Sequence, residues 1–137
     1  SAQASEDRRR MMKIAETDFD RVVNALLPKL LLPAHMRDAK IVAVVKAMAR
    51  DTGVAAYCRQ QEAIIGRADS APTLGTIACP TLVIVGAQDE LTPVARSQEM
   101  AAGIAGARLE IIPDCGHLST LEKPETVTRL LAGWLAG

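Results

Sequence analysis

The sequence predicts an α/β protein with a helical region over residues 1–70, followed over 71–137 by two strand–helix units of a mostly parallel sheet. Three observations carry this. Before position 70, apolar residues recur at helical spacing. After it come two short runs rich in β-branched residues. Each of those runs is followed by a polar loop and then by a further helical pattern.

The first half reads as helices punctuated by turns. Ser5, with Glu6 and Asp7 behind it, is placed to cap a first helix and to set acid in its first turn. Phe19, Val22, Val23, Leu26 and Leu27 make one apolar face, and Pro28 is expected to end that helix. Leu30–Leu31–Leu32 then runs into Pro33 as a packed loop. Ile41, Val44, Val45 and Met48 line a third helix, and Gly53 interrupts it. A fourth follows through Val54, Tyr57, Cys58 and Gln61, with Gly66 expected to close it in the left-handed conformation.

The character changes after Ala71. Thr81–Leu82–Val83–Ile84–Val85, between Pro80 and Gly86, has the continuous apolar pattern of a strand buried on both faces in a parallel sheet. Thr92 and Pro93 supply an N-cap and an N1 proline for a helix through about Ile104. Arg108–Ile112 is a second strand. Lys123–Pro124 opens a last helix with Val127, Leu130, Leu131 and Trp134 facing inward. Two strands are too few for a stable open sheet, which suggests that further strands complete it.

Composition narrows the function. Sixteen basic residues balance sixteen acidic ones, and Phe, Tyr and Trp occur once each. Neither a basic footprint nor a base-stacking platform is available for nucleic acid. No apolar run reaches the ~20 residues of a membrane span, and the polar N-terminus lacks a signal-peptide core. Cys58, Cys79 and Cys115 are odd in number and scattered, which disfavours a disulfide framework or a zinc site and fits a reducing, cytoplasmic setting. No metal or organic cofactor is implied.

In parallel sheets the chemistry gathers on loops beyond the carboxyl ends of the strands. The two such loops here carry Asp89 and His117. Each alone reads as an ordinary turn residue. On adjacent strand ends they could meet, and a carboxylate beside an imidazole fixes its tautomer and stabilises its protonated form. Glu90 and Asp114 read as solvated loop charges. Cys115, two residues before His117, is too close along the chain to aim at it productively, and Ser119 reads as a turn residue.

The stretch Cys79–Pro93, containing Leu82–Val85, Gly86 and Asp89, resembles the acid-bearing strand and loop of the α/β-hydrolases, and Gly116–Glu125 resembles their histidine loop. The resemblance covers Thr73 to Gly137 and implies Asp89 as triad acid and His117 as general base. It makes residues 1–70 the helical cap or lid, and 71–137 the C-terminal part of the hydrolase core. His35, between Pro33 and Met36, lies in the cap by this reading and is kept as a candidate substrate-binding residue.

The family's nucleophile stands before the acid on a Gly-x-Ser-x-Gly elbow. Ser1, Ser5 and Ser70, the serines upstream of Asp89, are in no such context, nor is any cysteine. The expectation is therefore a C-terminal portion of a hydrolase of small esters or related acyl compounds, inactive in isolation. Its partners would be a small-molecule substrate and either the N-terminal half of the same fold or a second copy. The alternative is a non-catalytic binding or self-assembly module on the same scaffold.

Overall fold

The computed structural model describes residues 2–137. Helix α1 (Ala2–Thr17) begins three residues before the expected Ser5 cap, since Ala2, Gln3 and Ala4 favour helix. Helix α2 (Phe19–Leu30) is capped by Asp18, whose carboxylate accepts from the Arg21 N–H at 3.0 Å. Pro28 stands inside α2 rather than ending it. It removes one donor within the last turn, and the turn still closes through Leu31 N–H to Leu27 O at 3.0 Å.

A 3-10 turn (His35–Arg37) leads to α3 (Ala39–Gly66), capped by Asp38 through Lys40 N–H and Ile41 N–H. Gly53 breaks α3 into two arms with φ 71° and ψ 164°, a conformation only glycine takes cheaply. Gly66, by contrast, is not left-handed. It is the last helical residue, and the chain leaves through an extended Arg67 because it runs on instead of folding back. Phe19 and Tyr57 pack ring against ring across this region, centroids 5.4 Å apart.

A second 3-10 turn (Ala71–Thr76) precedes β1 (Leu82–Gly86); α4 (Val94–Gly103) connects it to β2 (Arg108–Ile112). The strands are parallel, in register from Leu82 opposite Arg108 to Gly86 opposite Ile112. Both therefore end at the same edge, and their following loops sit side by side. The strands are only partly buried. Val85, Gly86 and Ile112 are covered, Leu82 to Ile84 are half-covered, and Ile111 is 43% exposed. Each has one strand neighbour, so the continuous apolar run is more exposed than its pattern predicts.

Short α5 (Ser119–Glu122) and α6 (Pro124–Leu135) complete the chain, with Pro124 at the first turn of α6 as expected. Val127 is buried and Leu130 packs on it, but Leu131 faces outward. Trp134 keeps its indole N–H buried without a hydrogen-bond partner among the described residues. Among the described residues, two apolar clusters stand out in the interior. Leu27, Leu31 and Val45 make one, against which Leu118 and Leu121 pack; Ile112, Cys115 and Val127 make the other. The segment 115–122 thus touches both. Among the described residues, no helix is long and apolar enough to cross a membrane.

Candidate active site

The loop after β1 is shaped by Asp89. Its Oδ1 accepts from Leu91 N–H at 2.9 Å and Thr92 N–H at 2.8 Å, the turn an Asp side chain makes with the backbone two and three residues on. Thr92 and Pro93 are displaced from their expected roles. Pro93 occupies the cap position of α4 with no side-chain cap bond, and Thr92 serves Asp89 instead, its Oγ1 donating to Oδ2 at 2.8 Å.

The loop after β2 is pressed onto the end of β1. Asp114 turns it with φ 49°. A Cβ on Gly86 would fall 2.1 Å from Gly116 O and 2.4 Å from Cys115 O, so only glycine permits this approach. Ala87 N–H donates to Ile112 O at 2.8 Å, and Gln88 N–H to Cys115 O at 3.0 Å. The Gln88 side chain returns the bond by accepting from Cys115 N–H at 3.0 Å.

This close approach brings His117 to Asp89, with Nδ1 donating to Oδ2 at 2.9 Å. A carboxylate can only accept, so the proton resides on Nδ1, and the neutral ring keeps its lone pair on Nε2. Thr92 Oγ1 lies 3.3 Å from the same Nδ1. Asp89 is buried while the imidazole is partly open. Burial pushes the Asp89 carboxyl upward, but hydrogen bonds from Thr92 N–H, His117 and Thr92 Oγ1, together with the nearby imidazole, outweigh it and hold it below the usual aspartate value.

Asp89 and His117 border an open cleft of about 830 Å³, whose apolar walls include Ile64, Leu74, Ile84 and Met100. Ser70, Ser97 and Ser119 also line it, yet among the described residues none of these serines hydrogen-bonds the His117 ring. Cys115 is fully buried, and its thiol is pushed up to about 11 by burial and by Glu122, which leaves no thiolate at neutral pH. Glu90 and Asp114 are exposed. No group of three or more His, Cys, Asp and Glu side chains among the described residues could hold a metal ion.

His35 stands elsewhere. Its Nδ1 donates to Glu122 Oε2 at 2.7 Å, and it does not line the cleft. Glu122 is the residue that reading by sequence passed over. Its side chain is 0% exposed, and it also accepts from Leu32 N–H at 2.9 Å and Gly116 N–H at 3.0 Å. Its partners at 32 and 35 are some ninety positions away. The one local signal is its place at the helix break before Lys123–Pro124.

Residues 12–124, well over half of the chain, match the family described as alpha/beta hydrolase fold, and the chain belongs to that family. Over 68 residues it is 38% identical to a 2-hydroxy-6-oxononadienedioate/2-hydroxy-6-oxononatrienedioate hydrolase of Klebsiella pneumoniae, a match covering 50% of this chain and 24% of that protein. Among solved structures it resembles a thermophilic esterase from Thermogutta terrifontis, with a TM-score of 0.91 at 28% identity, over 99% of this chain and 51% of the esterase. It also resembles the enol-lactonase from Burkholderia xenovorans LB400, with a TM-score of 0.87 at 28% identity, over 96% of this chain and 51% of that one. The chain spans about half the length of these solved neighbours.

Proposed function

We propose that the chain supplies the acid and the base of a serine-hydrolase triad acting on small esters or related acyl compounds. The observation that carries this is the 2.9 Å bond from His117 Nδ1 to the buried carboxylate of Asp89, which leaves the basic Nε2 at the border of a cleft. In the reaction, Nε2 takes the proton of a serine hydroxyl as its oxygen attacks the acyl carbonyl. The imidazolium, stabilised by Asp89, then protonates the leaving group, and water repeats the sequence to release the acid. The esterase and enol-lactonase likenesses support an ester or lactone carbonyl as the target, and the dienedioate hydrolase widens the class to related acyl chemistry.

By this reading the serine comes from a segment outside these residues. Ser5 lies within α1 and Ser70 at the start of a 3-10 turn, neither being the strand–turn–helix elbow the chemistry requires. The helices before residue 70 serve as a cap, with Ile64 at the cleft wall. The test is made on the whole gene product with p-nitrophenyl esters and a fluorophosphonate label. Asp89→Asn is expected to lower kcat by about 10⁴, the scale of losing the imidazole's orienting carboxylate. The label is expected on a serine outside these 137 residues. Ester turnover by the isolated chain, abolished by His117→Ala, would overturn the reading.

A second reading, a non-catalytic self-assembly module, is favoured by one feature: the half-covered strands and the outward-facing Ile111. Strand pairing between copies would then double the mass seen on size exclusion.

A further inference from the structure

We infer that Glu122 is a positioning residue for His117, tying the base's backbone to the seat of the helical half; this rests on His117 being the base. The carboxylate stands at the meeting of two loops. On one side Oε2 accepts from Leu32 N–H and from His35 Nδ1, both in the segment between α2 and α3. On the other, Oε1 accepts from the N–H of Gly116, the residue directly before His117. The residue directly after it is held from the same quarter, with Leu118 N–H donating to Leu30 O at 3.2 Å. The residues on either side of His117 are thus anchored to residues 30–35, Gly116 through Glu122 and Leu118 directly, while the ring is anchored to Asp89.

The site is built for this contact. A Cβ on Gly116 would sit 2.9 Å from Glu122 Oε1 and 3.2 Å from Leu32 N, so glycine here admits the carboxylate and the facing backbone together. A carboxyl with no solvent exposure is tolerated only when its oxygens are satisfied, and Leu32 N–H, His35 Nδ1 and Gly116 N–H satisfy these. A carboxylate accepts through both oxygens at once. A glutamine accepts through one, and must leave either Gly116 or the Leu32–His35 pair facing an amide N–H. Any shift of residues 32–35 therefore reaches Gly116 through two hydrogen bonds, with no direct contact between His35 and His117.

The chain has only two histidines, so uniform ¹⁵N-histidine labelling of the full 137-residue chain gives two imidazole spin systems in a long-range ¹H–¹⁵N spectrum. His35→Ala, at a partly exposed position, both assigns the spectrum and tests the tie: the remaining His117 ring resonances are expected to shift. Glu122→Gln is expected to shift both rings. Ile104→Ala removes buried bulk beyond α4, before β2 and at the opposite end of the strands from His117. It controls for general loosening and is expected to leave both rings in place. His117 resonances unchanged in His35→Ala would overturn the inference even if Glu122→Gln fails to fold, as would an equal shift in Ile104→Ala. Asp89→Asn in the same spectra separates the two ideas: an unmoved His117 there would defeat the acid–base pairing, not the Glu122 tie.

Discussion

Gln88 holds the peptide of Cys115 from both sides, its own N–H donating to Cys115 O and its side-chain Oε1 accepting from Cys115 N–H, each at 3.0 Å. The pair works as a two-point clasp between the loop that bears Asp89 and the loop that bears His117. Gln88→Ala keeps the backbone half of the clasp and frees Cys115 N–H. The expected loss is about 1 kcal/mol, read as a lower urea midpoint with an unchanged slope.

Gly86→Ala tests the close approach itself. The new methyl would meet two backbone carbonyls and a backbone carbon within 2.7 Å, and backbone cannot step aside as a side-chain tip can. Overpacking of this kind costs roughly 1–3 kcal/mol or more. Urea denaturation is expected to show at least that loss, along with displaced His117 ring resonances. A stability equal to wild type would show that the two loops are not in contact at this point.

Acid lability follows from Asp89. Its carboxyl is held below the ordinary 3.8 in the fold, so the unfolded chain binds more protons than the native one as the pH drops through that range. The stabilisation it gives is complete above 3.8 and disappears as the pH falls through the depressed native value. Asp89→Asn should therefore be less stable than wild type at neutral pH, with the gap closing on acidification. Thermal midpoints of both proteins between neutral and strongly acidic pH check this, and a gap that widens in acid would contradict it.

The three thiols should separate cleanly by reactivity. Cys79 is exposed, Cys58 intermediate and Cys115 buried with its thiol pushed up to about 11. Alkylation at mildly alkaline pH, followed by peptide mass analysis, is expected to modify Cys79 first, Cys58 more slowly and Cys115 only after denaturant is added. Early modification of Cys115 would mean that the loop before His117 opens in the native protein.

Much of this arrangement is written in short-range pattern. Leu82–Val85 between Pro80 and Gly86 announces a strand, Gly53 announces a break, and parallel strands place Asp89 and His117 at one end before any coordinate is known. What the pattern misjudges is set by competition among neighbours. Thr92 looks like a helix cap until Asp89, three residues earlier, claims both its N–H and its hydroxyl. Pro28 looks like a terminator, although one missing donor in a last turn is tolerated. Glu122 is the deepest miss, because a Glu before Lys–Pro looks solvated and only contacts with Leu32 and His35, far away in sequence, bury it. His35 meets a distant partner in the same way: its local sequence leaves it open to any contact, and the fold supplies the Glu122 carboxylate.

The lone indole of Trp134 on α6 and the lone phenol of Tyr57 packed on Phe19 place one fluorophore among the strand-bearing elements and one among the early helices. Exciting Trp134 alone at the long-wavelength edge, and resolving the shorter-wavelength emission of Tyr57 under common excitation, lets the two regions be followed through the same denaturation. Superimposable unfolding curves from the two chromophores would make the chain a single cooperative unit. Curves that part company would reveal a stepwise loss of order, and which colour fades first would say where it begins.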